Sequence, residues 1–225
     1  MIKKLQALKA KKGFTLVELI VVIAIIGVLA AILVPTMLGM VTKSRVTSAD
    51  STAKSIKDNI HSFLTDADTA GFGMKRAADK TDTLVIQVGV TAPNEWQIDG
   101  ITTTNFNGSG SKAWTGSTTA VRKPNDSSTG LGYTDLLALR LANTFPDMKQ
   151  ASIVAVINAG SCVYVAYTAD TSDDISASGT GDAPAVTIAS TGVTVPADAA
   201  WDTKTAGISG TNGYIVGTAP KIELS

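Results

Sequence analysis

The chain has 225 residues, with 19 basic and 19 acidic side chains, one histidine and one cysteine. A lone Cys162 and a lone His61 exclude an intramolecular disulfide and zinc sites built from several such ligands. Basic side chains beyond residue 13 are scattered, so no segment offers a general electrostatic attraction to nucleic acid.

Residues 1–13, MIKKLQALKAKKG, hold five lysines (Lys3, Lys4, Lys9, Lys11, Lys12) and no acid. Without them the chain has 14 basic against 19 acidic residues, a net charge of −5. Residues 14–34, FTLVELIVVIAIIGVLAAILV, follow: 21 positions with Glu18 as the single charge and no proline. About 20 residues rising 1.5 Å each span the hydrocarbon of a bilayer, and the lysines keep the preceding end in the cytoplasm while the rest of the chain passes outward. A secretory signal peptide has a shorter apolar region and a small-residue cleavage site at its far end; here the far end reads LVPTMLGMV. A plain signal anchor is the simpler alternative. Glu18 argues against it, because an ionisable group inside a spanning helix is costly and marks a function by default.

The run KKGFTLVELIVVIAIIGVLAAILVP resembles the class III signal of type IV prepilins and pseudopilins: a basic leader ending in Gly13, then Phe14, then an acid at the fifth position after the cut. The resemblance covers residues 3 to about 65. It implies that a prepilin peptidase cuts between Gly13 and Phe14 on the cytoplasmic side, that the new Phe14 amine is methylated, and that Glu18 serves assembly. The residue types suit these roles. Gly13 has no side chain and lies flat in a protease cleft, and the new amine of Phe14 needs an opposite charge where water is excluded, which Glu18 of a neighbouring subunit can supply. A buried ion pair contributes little net stability, so its expected role is axial register between subunits. Cohesion falls to apolar packing: the helix exchanges lipid tails for copies of itself, a nearly balanced trade that an assembly motor can drive. Gly27 and Pro35 stand where this family's helix bends or locally unwinds; Pro35 lacks a donor and clashes with the preceding turn. Ordinary tolerance of both residues in spanning helices is the alternative.

Beyond Pro35 the helix is expected to run to about residue 67, with Val46, Ala49, Ala53, Ile56, Ile60, Phe63 and Ala67 along one face at intervals of three and four. That amphipathic half should leave the membrane and lay its stripe on a sheet, with His61 just off it. The stripe holds too many small residues for a coiled coil. The helical pattern breaks at Ala70-Gly71-Phe72-Gly73. Apolar, β-branched runs then predict strands at Thr83–Val90, Glu95–Ile101, Ser152–Ile157, Cys162–Thr168, Val186–Ala189 and Tyr214–Val216. Asn158-Ala159-Gly160 supplies a hairpin turn, and a second helix is expected at Thr134–Asn143, packing Leu136, Leu137, Leu139 and Leu141 before Pro146. Ser/Thr/Gly-rich stretches at 102–132 and 170–184 read as surface loops. The family's Gram-negative members usually close the C-terminal region with a disulfide, whereas members from Gram-positive bacteria often lack it, as this chain must.

Asp170, Asp173, Asp174 and Asp182 cluster in one loop, and oxygen ligands of this kind hold calcium in some pseudopilins. Their spacing matches no fixed ligand pattern, and a solvated acidic loop explains them equally. Trp96, Trp114 and Trp201 could present a polysaccharide-binding face, although core packing is the commoner use. Cys162, flanked by Val163 and Tyr164, reads as a small buried hydrophobe. Asn107-Gly108-Ser109 and Asn125-Asp126-Ser127 match a glycosylation pattern. No catalytic constellation and no cofactor motif is present, so an enzyme is not expected.

The expectation is an α+β fold of the pilin type, a long N-terminal helix packed on an antiparallel sheet. Its parts are a leader at 1–13, a membrane and filament-core helix at 14–35, an amphipathic continuation at 36–67 and a β-rich head at 68–225. The expected function is that of a type IV pilus subunit, cleaved by prepilin peptidase at the inner membrane and handed by assembly machinery into a homopolymeric surface filament for adhesion or twitching motility. A type II secretion or competence pseudopilin is the nearest rival; a membrane-tethered binding protein that never polymerises is the rival of another class.

Overall fold

A computed structural model of the protein describes residues 14–75, 81–89, 92–108, 113–114, 121–169, 187–189, 192–194 and 216–220. The chain divides into two units, residues 1–43 and 44–225. Helix α1, Leu16–Thr69, crosses that boundary, and its two parts are described separately.

In the first unit, apolar helix formers stand on every face of α1, and among the described residues nothing covers them: all residues from Phe14 to Met37 are exposed. Pro35 lies inside the helix. Proline removes an N–H and crowds the carbonyl one turn back. Beside it the Thr36 hydroxyl donates to the Leu33 carbonyl at 2.9 Å and to that of Ile32 at 3.4 Å.

The second unit opens on the amphipathic part of α1. Val46, Ala49, Ala53, Ile56, Ile60, Phe63 and Ala67 are all buried, as the spacing predicts. Leu64 joins them, one turn beyond Ile60. Helix α1 ends at Thr69, and Gly71 takes the left-handed conformation (φ 85°) that stops it. The strands that follow are β1, Thr81–Val88; β2, Trp96–Asp99; β3, Ala151–Asn158; and β4, Ser161–Thr168. A three-residue 3₁₀ turn, Thr103–Asn105, follows β2, and helix α2, Tyr133–Thr144, precedes β3. Further on come β5, Thr187–Ala189; β6, Gly192–Thr194; and β7, Val216–Ala219.

Five strands form one antiparallel sheet in the order β2-β1-β3-β4-β7, while β5 and β6 pair antiparallel by themselves. Strand β6 was not expected from the sequence. Neighbours β3 and β4 are joined by a two-residue turn, Ala159 (φ 47°) and Gly160 (φ 85°); two consecutive positive φ angles define the hairpin turn whose twist matches its strands. The register shifts between Val156 and Ile157, with Tyr164 opposite the first and Cys162 opposite the second, so Val163 is the extra residue of a bulge.

Leu84, Ile86 and Val88 of β1, Ile153, Ala155 and Ile157 of β3 and Val165 of β4 share one core with the α1 stripe. By strand alternation Val154, Val156 and Ala166 face the other way, and they too are buried. Strand β3 is therefore covered on both sides, which is why SIVAVI reads as an unbroken apolar run. Each large aliphatic side chain so buried contributes about 1.5–3 kcal/mol.

Helix α2 adds Leu137, Ala138, Leu141 and Ala142 to this core. It is tied to α1 by Arg140, which pairs with Asp66, donates to the Ser62 hydroxyl at 2.9 Å and lies over the Phe63 ring at 5.9 Å. The stretch 102–132, expected to be surface loop, behaves otherwise at two anchors. Phe106 and Trp114 are buried and stack at 4.3 Å between ring centroids. The Trp114 indole donates to the Phe72 carbonyl at 2.6 Å, and Phe106 bridges to Met74. Isolated aromatic anchors in polar sequence carry no periodicity, so the pattern missed them. The stretch 170–184 lies outside the described residues, as do Tyr214 and Ile215.

Candidate membrane and assembly segment

The first turn of α1 is built by a reciprocal pair. The Glu18 N–H donates to the Thr15 hydroxyl oxygen at 3.2 Å, and the Thr15 N–H donates back to Glu18 Oε2 at 2.8 Å. The Thr15 hydroxyl donates to the same carboxylate oxygen at 2.7 Å. This is a capping box, satisfying donors that a helix start leaves free, and it places negative charge where the helix dipole favours it. Glu18 was expected as an assembly residue alone. The signal for its second role is plain in Thr15-Leu16-Val17-Glu18, the T-x-x-E spacing of such a cap.

Phe14 precedes this cap and is 89% exposed. Gly13 lies outside the described residues. Gly27 has open space about it: an added Cβ would meet nothing within 4 Å. A small residue there is thus not required by the protomer. Eighteen large apolar side chains between Phe14 and Val41 are exposed. Covering each is worth about 1.5–3 kcal/mol, so their joint exposure to water is untenable, and lipid or protein must take its place. By length and composition α1 is apolar enough to cross a membrane.

Other expected features resolve differently. Asp170, Asp173, Asp174, Asp182 and Trp201 lie outside the described residues. Trp96 and Trp114 are buried, so neither presents a ring for polysaccharide. Among the described residues, no group of three or more His, Cys, Asp and Glu side chains is placed to hold a metal. His61 is exposed at the rim of a cavity of about 160 Å³ shared with Thr65, Asp68, Met74 and Gly160. Cys162 is buried, and burial pushes its thiol up to about 12, far from the reactive range. Asp82, missed from sequence, is a buried carboxylate on β1. It accepts from the Thr102 N–H at 3.1 Å and from the Asn105 amide at 3.3 Å, and burial raises its pKa against those hydrogen bonds. It ties the turn after β2 to β1.

An uncovered apolar helix with a capped acidic start precedes in the chain a separate α+β unit built on an amphipathic helix, and by length and composition the apolar helix could cross a membrane. Comparison with known proteins finds likeness in the N-terminal part of the chain. Residues 8–34 match the model of the prokaryotic N-terminal methylation motif. A fimbrial protein of Moraxella nonliquefaciens is 37% identical over 82 residues, covering 36% of this chain and 53% of that protein. A fimbrial protein of Pseudomonas aeruginosa is 44% identical over 57 residues (25% and 37%), and the type IV major alpha-pilin of Moraxella bovis is 55% identical over 40 residues (18% and 25%). On these findings the N-terminal part of the chain is similar to that of type IV pilins. It spans about half the length of the first of these relatives and less of the others. No solved structure matches it.

Proposed function

We propose that the protein is the structural subunit of a type IV pilus, made as a membrane-anchored precursor and polymerised through its N-terminal helix into a surface filament for adhesion or motility. The observation that carries this reading is the fully exposed apolar length from Phe14 to Met37, which a folded protomer cannot cover by itself. Residues 1–13 act as the leader, removed by prepilin peptidase between Gly13 and Phe14, after which the Phe14 amine is methylated. Residues 14–35 hold the subunit in the inner membrane and then form the filament core, 36–67 continue the helix, and 68–225 form the head.

Glu18 sets register by meeting the Phe14 amine of a neighbouring subunit. Cleavage frees a charge one residue before the capping box, so the carboxylate that closes the first turn is already held at the end of the helix where that amine must dock. Gly27 and Pro35 let the helix bend during packing. The other partners are the assembly machinery and further copies of this chain.

Electron microscopy of sheared surface fibres, with N-terminal sequencing of their subunit, tests the reading. The expected sequence starts FTLVE at a methylated Phe14; a start at Met1 refutes the processing and with it the assembly route. Replacing Gly13 by a bulkier residue should retain residues 1–13, seen as the larger mass.

A further inference from the structure

Among the described residues strand β7 is the last in the sheet order and spans four residues, a length that a single ladder holds weakly. With one cysteine in the chain, no intramolecular disulfide can fasten it. Its contacts with α1 are unusually close. A Cβ built on Gly217 would collide with the Ala49 carbonyl group and the Asp50 nitrogen, so backbone rests on backbone there. The neighbouring Thr218 N–H donates to Asp50 Oδ1 at 2.9 Å across 168 residues of sequence. Tyr164 of β4 is fully buried, and among the described residues its hydroxyl has no partner. The Asp50 charge reaches that phenol and adds to the effect of burial in raising its pKa.

We propose that Asp50 is the positioning residue of a noncovalent latch that fastens the C-terminal strand β7 to α1, with Gly217 as its seat. An edge strand presents unpaired N–H groups that invite another chain. The Asp50 carboxylate occupies one of them, while α1 backbone at Ala49 stands directly against Gly217. The latch closes the head on the same helix that carries the assembly segment, without redox chemistry. It does not rest on the pilus reading, since every contact lies within one protomer.

The test is amide hydrogen exchange on the full chain in detergent micelles, read as the exchange rate of peptides covering 216–220 relative to those covering β3. Asp50→Ala should raise that ratio about tenfold, the scale of a lost hydrogen bond. Asp50→Asn, whose side-chain carbonyl can accept the same N–H, should stay near wild type. Gly217→Ala should raise the ratio by unseating the strand. An unchanged ratio in Asp50→Ala, whether the head stays intact or loosens evenly, overturns the proposal. Equal loosening in Asp50→Ala and Asp50→Asn also overturns it, by assigning the effect to charge alone.

Discussion

Two isoleucines on one helix separate the roles of its halves. Ile56 is fully buried in the second unit, while Ile25 is 55% exposed. Truncating Ile56 to alanine removes three buried carbons and leaves a cavity between α1 and the sheet, which costs about 2–5 kcal/mol. For a domain of this size each kcal/mol is worth about 2–4 °C, so the head should melt roughly 4–20 °C lower. Ile25→Ala removes the same atoms from a site with no tertiary neighbour, and the head's unfolding should move by no more than about 0.5 kcal/mol. The assay is denaturant or thermal unfolding of the full chain in mild detergent, followed by tryptophan fluorescence, because Trp96 and Trp114 are both buried in the head. A loss below about 1 kcal/mol for Ile56→Ala, or equal losses for both variants, would refute the division of α1 into a core half and an uncovered half.

Four further outcomes are expected. Glu18→Ala should be processed and inserted yet fail to enter filaments when mixed with wild type, whereas Thr15→Ala should speed amide exchange across residues 16–19 and Thr15→Ser should restore protection; unchanged filaments or unchanged exchange would remove the respective role. Asp82 has a folded pKa raised above its ordinary value of 3.8. The folded chain thus binds that proton more readily than the unfolded chain, so Asp82's contribution is most favourable below about 3.8 and is lost as pH rises through the folded value. Denaturant midpoints measured against pH should therefore fall less steeply toward acid in wild type than in Asp82→Asn. Cys162, with its thiol pushed up to about 12, should resist alkylation at pH near 8 in the folded chain and react once the chain is denatured; fast labelling of the native protein would contradict its burial.

What could be read without coordinates was what depends on near neighbours in the chain. The α1 stripe from Val46 to Ala67 repeats every three to four residues, and all seven of its members are buried. The β3–β4 hairpin declared itself through two apolar runs about a glycine turn, although Ala159 shares the left-handed geometry with Gly160. The Thr15–Glu18 cap was equally local and could have been found. Phe106 and Trp114 could not, because each is a solitary anchor in polar sequence whose burial depends on partners such as Phe72 and Met74.

The amino-acid order alone determined that this protein has a long apolar helix with a lone acid, a basic segment before it and a β-rich remainder, since hydrophobic length, charge placement and helical period are sums over adjacent residues. Only tertiary structure decided which carboxylates are buried, that Asp82 holds the turn after β2, and that Asp50 meets a strand 168 residues away. Such contacts arise when distant segments compete for the same apolar surface, and the winner is set by the packed whole.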